Sequence, residues 1–246
     1  MQYGEIVELG RHRLMCGDAT RREDVMQLIG NDTVNLVLTD PPYGIDIVNS
    51  GGHFKGQWGK KRLLQLGYSE GNTAVKFPEI IGDKNTETAR GNYGIIRDIT
   101  DRHIIWGGQH FVDFLPVSNG WLVWNKKLNL NNYSACEMAY TSVINHNRMY
   151  EQKLCGFIKE GNRQLNPQPK IHPTQKPVEL HMKILEDFSN PDDVILDCFG
   201  GSGTTLIACE MTGRKCLMME ISPEYCEVIV DRWNNLMPIF QAESVS

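Results

Sequence analysis

The chain has 246 residues, of which 41% are hydrophobic and 22% are charged, and its formal net charge is −5. This length predicts a single sizeable domain over residues 1–246, and the mildly acidic balance argues against a surface coated all over with nucleic acid. The apolar runs are too short to cross a bilayer and the N-terminus lacks the build of a secretion signal, so we expect a cytoplasmic protein without membrane contacts. The seven cysteines contain no Cys-x-x-Cys pair, and we expect neither a disulfide framework nor a metal site.

The first part of the chain predicts two strands and a helix before a long irregular stretch. A strand is expected at 12–16, a helix at about 20–29 and a second strand at 34–38. The second strand is nearly continuous in apolar character, which is typical of a strand buried on both faces of a parallel sheet. Residues 46–90 are rich in Gly, Lys and Asn without a sustained period, so we interpret them as a long, mobile, variable insertion.

Strands and helices alternate again beyond this insertion. Strands are expected at 103–106, 121–124, 137–143, 194–197 and 215–220. Helices are expected near 93–100, after Gly107-Gly108, at about 174–188 with Thr174 as its cap, from the glycines at 200–203 to about Gly213, and from Pro223 with Ser222 as its cap. Residues 145–170 again lack a period. The pattern predicts an α/β fold with a mostly parallel sheet.

The segment Asp40-Pro41-Pro42-Tyr43 follows the strand at 34–38. It places a carboxylate at the carboxyl edge of the predicted sheet, where open α/β sheets bind their ligands. Two prolines stiffen the backbone and an aromatic ring follows them. This combination indicates a rigid clamp for a flat polar group. The alternative is a simple turn in which an aspartate precedes two prolines.

A second segment, Asp197-Cys198-Phe199-Gly200-Gly201-Ser202-Gly203-Thr204-Thr205, lies between a predicted strand and a predicted helix. Its glycines let the backbone approach a ligand closely at the helix N-terminus. Glu220 ends the next strand, where an acid is suited to accept hydrogen bonds from ribose hydroxyl groups. Leu206 stands where a dinucleotide-binding loop has its third glycine, so the pattern favours an adenosyl ligand without a pyrophosphate. A tight strand-to-helix turn with a capping acid is the alternative.

Two clusters of basic residues are candidates for contacts with a polyanion. The first cluster is Lys60-Lys61-Arg62, and the second lies within 145–170 and contains Arg148, Lys153, Lys159 and Arg163. Either cluster taken alone is equally well explained as solvated surface.

Three motifs occur along the chain in the order Asp40-Pro41-Pro42-Tyr43, His172-Pro173-Thr174-Gln175-Lys176-Pro177 and Phe199-Gly200-Gly201-Ser202-Gly203-Thr204-Thr205. In this order the chain resembles the β class of S-adenosylmethionine-dependent DNA amino-methyltransferases, above all the short forms that phages and prophages encode. The segments 106–111, 121–126 and 137–142 share this resemblance. It implies a circularly permuted Rossmann-like fold with helices on both faces of the sheet, S-adenosylmethionine as cofactor and duplex DNA as partner.

The resemblance also assigns roles to residues of the cofactor half. The ribose would lie against Glu220, and the adenine ring near Asp18 and Ala19. His172, Thr174 and Lys176 would close over the methionine end, with Lys176 as the partner of its carboxylate. The implied contacts in the loop are Asp197, Phe199, Gly200, Gly201, Ser202, Gly203, Thr204 and Thr205. Cys198 departs from the proline that the family usually has, and we expect little consequence.

The hypothesis for the reaction is that the clamp activates an exocyclic amino group of a base. Asp40 and the carbonyl of Pro41 would accept hydrogen bonds from the two N–H groups and aim the nitrogen lone pair at the methyl group. Pro42 would stiffen the clamp, and Tyr43 would stack on a base flipped out of the duplex. The basic clusters would hold phosphates. The stretch 145–170 would recognise the target, and because it is small we consider a homodimer that shares this work.

Several alternatives to adenine methylation stay open from the sequence. Asp40 favours adenine N6, because the clamp of enzymes that act on cytosine N4 more often begins with Ser, although the chemistry permits either. A DNA-binding relative without catalysis is another alternative, against which the intact clamp argues. A nicotinamide oxidoreductase would require the missing third glycine. Trp106, Trp121 and Trp124 lie on apolar strands and are expected in the core rather than stacked on a base.

Overall fold

A computed structural model describes residues 1–47, 79–127, 134–152, 154–155, 158–159, 165 and 174–243, with side chains in all of them except 154–155, 158–159 and 239–243. Within these residues the strands are β1 (Ile6–Leu9), β2 (His12–Cys16), β3 (Leu36–Thr39), β4 (His103–Trp106), β5 (Trp121–Asn125), β6 (Cys136–Thr141), β7 (Arg148–Glu151), β8 (Leu154–Cys155), β9 (Ile158–Lys159), β10 (Val194–Asp197) and β11 (Lys215–Glu220). The α-helices are α1 (Arg22–Ile29), α2 (Glu87–Ile96), α3 (Val178–Phe188), α4 (Thr204–Met211) and α5 (Pro223–Glu243). In this part of the chain no helix combines the length and the apolar character that a membrane span requires.

Nine strands form one sheet in the order β1-β2-β11-β10-β3-β4-β6-β5-β7, and β8 pairs with β9 in a separate antiparallel ribbon. The five strands from β2 to β4 are parallel to one another. Strand β1 is antiparallel to β2, and β6 is antiparallel to both β4 and β5. The carboxyl ends of the five parallel strands therefore lie at one edge of the sheet, which is where a ligand is expected.

Helices cover both faces of the sheet. Leu36 and Leu38 of β3 pack in one apolar cluster with residues of α3, α4 and α5, whereas Val37 packs in a second cluster with residues of α1 and α2. All three side chains are fully buried, and burial of each contributes about 1.5–3 kcal/mol. The predicted α/β class, with a mostly parallel sheet between two helical layers, is confirmed.

Several elements begin and end where the sequence indicated. The four strands β2, β4, β10 and β11 have the predicted bounds. Helix α5 begins at Pro223, and Oγ of Ser222 accepts a hydrogen bond of 3.3 Å from the backbone N–H of Tyr225, as expected of an N-cap.

The interpretation of 46–90 as one irregular insertion is wrong at its C-terminal end. Helix α2 begins at Glu87 rather than near 93, because Ala89, Tyr93 and Ile96 recur at helical spacing and are buried against the sheet. Residues 48–78 of the predicted insertion lie outside the described residues. The irregular stretch therefore ends before Glu87.

Two further helix predictions need correction. After Gly107, which has a left-handed backbone with φ of 71°, the chain makes only the short 3-10 turn Gly108–His110. Helix α3 begins at Val178 rather than Thr174, since Pro177 disfavours helical geometry in the residue before it and itself stands at the N-cap with an extended backbone.

The stretch 145–170 contains regular structure that the sequence did not predict. Strand β7 extends the main sheet in parallel to β5, and β8 and β9 form the separate ribbon. These strands are short, at four, two and two residues, so their patterns are too brief for a periodicity to show.

Candidate active site

A cleft lies over the carboxyl ends of β3, β10 and β11 and has a volume of about 1050 Å³, including the space open to solvent. It brings together three segments that are far apart in sequence. The lining includes Asp40, Pro41, Pro42 and Tyr43 of the clamp, Thr174, Gln175 and Lys176, and Asp197, Phe199, Gly200, Gly201, Ser202, Thr204, Thr205 and Glu220. Almost all the predicted catalytic and cofactor-binding residues that the structure describes thus share one cleft.

The clamp itself is held by hydrogen bonds to both oxygens of Asp40. The hydroxyl of Tyr43 donates to Oδ1 at 2.7 Å, and the ammonium of Lys176 donates to Oδ2 at 2.5 Å. Burial raises the pKa of Asp40, while Lys176 and Tyr43 oppose this shift by stabilising the charged carboxylate. Asp40 is therefore a fixed, charge-paired acceptor in this structure.

The end of the clamp is fixed by Asp83, a buried residue that the sequence analysis passed over. Its Oδ1 accepts the backbone N–H of Gly44 at 2.9 Å, and its Oδ2 accepts that of Ile47 at 2.8 Å. Gly44 has φ of 75°, and a Cβ there would meet the backbone of Asn85 at 2.6 Å. Asp83 lay within the predicted insertion, so only its place after a Gly offered a signal.

The ring of Tyr43 is enclosed from several directions. His110 stacks on it with a centroid distance of 5.1 Å and an interplanar angle of 16°, and Phe111 meets it edge-on at 6.2 Å. A Cβ on Gly107 would lie 2.2 Å from the ring, so only a glycine fits there. One face of Tyr43 is thus already covered by His110, and a base would have to stack on the other.

Lys176 is only 4% exposed and donates to more than one acid. Besides Asp40, its Nζ lies 3.3 Å from Oε2 of Glu137 and 3.2 Å from the hydroxyl of Tyr43. Burial on its own lowers the pKa of Lys176, but the two carboxylates outweigh it and raise this pKa, so the side chain is charged. The predicted partner of a cofactor carboxylate is therefore bonded to the clamp in this structure.

Glu137 on β6 is a second site residue that the sequence analysis missed as such. Its Oε1 lies 2.5 Å from Nζ of Lys126, and its Oε2 faces Lys176. Burial raises the pKa of Glu137, but the two lysines prevail and hold it at about 2. The signal in the sequence was an acid within an otherwise apolar strand. In the sheet, Glu137 pairs with Trp124 near the end of β5, which leads to Lys126.

The glycine loop has the strand-to-helix geometry that was predicted. The carboxylate of Glu220 accepts the backbone N–H of Gly201 at 2.7 Å and that of Ser222 at 2.9 Å. Gly203 has φ of 79° and caps α4. Buried Arg232 of α5 donates to the carbonyls of Ser202 at 2.7 Å and Leu165 at 2.5 Å, a support that no motif indicated.

Asp197 lies at the bottom of the cleft and is 3% exposed. Burial raises its pKa to about 7, although hydrogen bonds to the carboxylate, such as those from Phe199 N–H and the Thr39 hydroxyl, oppose the shift. The same Thr39 hydroxyl oxygen lies 3.2 Å from the backbone nitrogen of Cys198, which donates to it. A proline at position 198 has no N–H to donate, so this departure from the family pattern changes the local hydrogen bonding.

A neutral histidine packs behind Lys176. Nε2 of His181 accepts the indole N–H of Trp106 at 3.2 Å, and Nδ1 lies 3.2 Å from Oγ1 of Thr205. Burial, together with the charge of Lys176, lowers the pKa of His181 to about 3. Trp106 and Trp124 are buried, which confirms their placement in the core, whereas Trp121 is half-buried.

Other predicted residues lie elsewhere or outside the described part of the chain. Asp18 and Ala19 follow β2 but are not among the described residues that line the cleft; Oδ1 of Asp18 instead accepts the N–H and hydroxyl of Thr20. Exposed Arg148 pairs with Asp187 at 2.8 Å. The predictions for Lys60, Lys61, Arg62, Lys153, Arg163 and His172 lie outside the described residues, and Lys159 is described only as backbone in β9.

A model of the family of DNA methylases that act on amino groups at N6 or N4 matches residues 105–231, slightly more than half of the chain. The chain belongs to this family. Its motifs occur in the order of the β-class amino-methyltransferases, with the clamp first. The DNA methyltransferase activity that the resemblance implied follows from membership of the family.

Similar proteins of this DNA methylase family cover most of the chain. The putative methylase YubD of Escherichia coli K12 is 25% identical in an alignment 237 residues long, which covers 87% of this chain and 86% of the relative. The type II methyltransferase M2.MboI of Moraxella bovis is 24% identical in an alignment 246 residues long, which covers 89% of this chain and 88% of the relative.

Solved structures share the methylase fold at lower identity. The cytosine-N4-specific PvuII DNA methyltransferase has a TM-score of 0.59 and 12% identity, and the match covers 98% of this chain and 95% of that chain. TTHA0409 of Thermus thermophilus, a putative DNA modification methylase complexed with S-adenosylmethionine, has a TM-score of 0.52 and 21% identity, with coverages of 92% and 96%. These structures confirm the methyltransferase type of α/β fold.

Proposed function

We propose that this DNA methylase transfers the methyl group of S-adenosylmethionine to the N6 amino group of adenine in duplex DNA. The observation that carries the proposal is the single cleft in which the carboxylate of Asp40 lies together with the glycine loop and Glu220. An acceptor for an amino group and a cradle for an adenosyl ligand are the two parts that such a transfer needs.

The glycine loop and Glu220 offer backbone and carboxylate groups that suit the hydrogen bonds of S-adenosylmethionine. The loop packs directly on β11, since a Cβ on Gly200 would lie 2.9 Å from the side chain of Met218. Two backbone N–H groups fix the carboxylate of Glu220, whose remaining lone pairs can accept hydrogen bonds from ribose hydroxyls. Lys176 attracts the carboxylate of the methionine part by its charge alone, since its three N–H donors are taken by Asp40, Glu137 and Tyr43. The absence of a P-loop lysine suits a ligand without phosphates.

The clamp acts on the nucleophile. The lone pair of an exocyclic amino group is delocalised into its base, and hydrogen bonds to Asp40 and to the Pro41 carbonyl hold the nitrogen closer to tetrahedral. Bound S-adenosylmethionine supplies a sulfonium methyl group, whose bond to sulfur breaks with its electrons left on sulfur as the nitrogen lone pair forms the new N–C bond. Asp40 lies beside the proton that the methylated nitrogen then releases. The face of the Tyr43 ring away from His110 stacks on the flipped base.

The same proposal assigns contacts with DNA to the two clusters of basic residues. Phosphates of the DNA are held by seven basic residues, namely Lys60, Lys61, Arg62, Arg148, Lys153, Lys159 and Arg163. The stretch 145–170 recognises the target sequence. Two copies of the chain share this recognition as a homodimer. Within each copy, residues 1–246 form one methyltransferase domain. Phosphate contacts predict an affinity for duplex DNA that falls steeply as the salt concentration rises.

Methyl transfer is tested with purified protein, duplex DNA of mixed sequence and methyl-labelled S-adenosylmethionine. The DNA is digested to nucleosides, and the labelled nucleoside is identified by mass spectrometry. The expected product is N6-methyladenine. Label on N4 of cytosine would assign the enzyme to the other target of the family, and no label would remove the proposal altogether.

A further inference from the structure

Lys176 is shared between two acids that face each other across its ammonium group. Its Nζ lies 2.5 Å from Oδ2 of Asp40 and 3.3 Å from Oε2 of Glu137, and a third contact of 3.2 Å joins it to the Tyr43 hydroxyl. An ammonium group has three donors, and these contacts use all three. Because the side chain is almost completely buried, no donor can turn to bulk water without moving the chain.

This arrangement makes Asp40 serve both Lys176 and the target amino group in the proposed reaction. Both of its oxygens are already engaged, one by Tyr43 and one by Lys176. Each oxygen keeps a further lone pair for an N–H of the amino group, but the ammonium of Lys176 draws on the same negative charge. Yet the ammonium cannot simply be released, since a buried charge left without a partner is strongly destabilising.

Glu137 is built to keep the ammonium in place. It stands on β6, where its backbone is fixed by pairing with Trp124 of β5, whereas Lys176 reaches it on a long side chain from the irregular segment before α3. Lys126 occupies Oε1 at 2.5 Å and leaves Oε2 to Lys176. The two ammonium groups also lie over tryptophan rings, Lys176 over Trp106 and Lys126 over Trp124, each at 5.2 Å from the centroid.

We propose that Glu137 is a positioning residue for methyl transfer, which holds the ammonium of Lys176 while Asp40 accepts the target amino group. The reaction in this statement rests on the function proposed above. Glu137 does not touch the substrate in this scheme; it acts through Lys176. Its low pKa, about 2, keeps it charged at any pH at which the enzyme works.

The sharing of Lys176 is tested first by stability, without DNA or cofactor. Asp40→Asn and Glu137→Gln each leave Lys176 with one carboxylate, whereas the double variant leaves it with none. The melting temperature of the double variant should fall by at least about 4 °C more than the sum of the two single falls, and Lys176→Met in the double background should recover most of this loss. If the two single decreases in melting temperature simply add in the double variant, the ammonium group of Lys176 is not shared between Asp40 and Glu137.

The positioning role is tested by single-turnover methylation with saturating DNA. We expect Glu137→Gln to lower the rate constant more than tenfold and to change the dissociation constant of S-adenosylhomocysteine less than threefold. Asp98→Asn, which removes an exposed ion pair with Arg22 at 3.0 Å, is the matched control and should stay within twofold of the wild type.

Two kinetic outcomes would contradict the positioning role. One is a Glu137→Gln rate constant within twofold of the wild type, and the other is an equal loss in rate and in S-adenosylhomocysteine affinity. A wild-type protein that methylates no DNA would refute the proposed function instead, and the melting experiment would still decide whether Glu137 shares Lys176.

Discussion

The hydroxyl group of Tyr43 donates a 2.7 Å hydrogen bond to Oδ1 of Asp40, so the ring and the carboxylate of the clamp fix each other. Because this bond stabilises the charged form of Asp40, it also opposes the rise in pKa that burial causes. Tyr43→Phe should therefore lower the single-turnover rate about tenfold and move the acidic limb of the pH profile upward, since a hydrogen bond to a charged group contributes about 1.5–3 kcal/mol. Tyr43→Ala, which also removes the stacking surface, should lower the rate further. A Tyr43→Phe variant with the wild-type rate would show that the hydroxyl has no part of its own, whereas equal losses in the two variants would show that the ring adds nothing.

Asp40→Ala should abolish methyl transfer while the cofactor cleft stays intact. The carboxylate lies at the clamp, whereas the loop is held separately by Glu220 and Arg232. We expect a loss of about 100-fold or more in the rate, comparable to removing one preorganised hydrogen-bonding group from an active site. S-adenosylhomocysteine binding, measured by calorimetry, should change only a few fold. A variant that retains its activity would show that this carboxylate does not hold the amino group.

Asp197 should make stability depend on pH. Its pKa is about 7 in the folded state but near 3.9 when unfolded, so the folded protein holds this proton more tightly. The resulting stabilisation is complete below about pH 4 and is lost as the pH rises to 7, with an upper limit of roughly 4 kcal/mol. Asp197→Asn cannot titrate and should lack this slope.

Urea unfolding of wild type and Asp197→Asn at several pH values between 5 and 8 isolates this effect. The free energy of unfolding of the wild type, relative to the variant, should decrease up to about pH 7 and then become level. A difference that does not change with pH would mean that Asp197 ionises normally in the folded protein.

Cys198→Pro should reduce stability slightly without stopping the reaction. The proline removes the N–H that donates to Thr39 at 3.2 Å, and a hydrogen bond of this kind contributes about 1 kcal/mol. Cys198→Ala keeps the N–H and is the control for the lost sulfur atom. If the proline variant is at least as stable as the alanine variant in urea, the bond to Thr39 contributes nothing.

The parts of this protein that could be predicted from the sequence are those that local pattern determines. Continuous apolar strands such as 103–106 and 215–220 were placed correctly, and motif residues such as Asp40 and Glu220 do share a cleft. Asp83, Glu137 and Arg232 escaped notice because their importance comes from partners that are distant in sequence. Glu137, for example, is 39 residues from Lys176 in the numbering, and only the folded sheet brings the two together.

The position of β10 and β11 between β2 and β3 has a consequence for how the protein is made. A growing chain that has reached residue 193 already contains β2 and β3 but not the two strands that will separate and join them. Until β10 and β11 are made, β2 and β3 each present an unpaired edge to water, and such edges are prone to aggregation. Among the strands of the sheet, the two middle ones thus leave the ribosome last, and of the described elements only α5 follows them. A premature stop before β11 therefore yields a chain that lacks a middle strand of the sheet and cannot form it, rather than an enzyme of reduced activity.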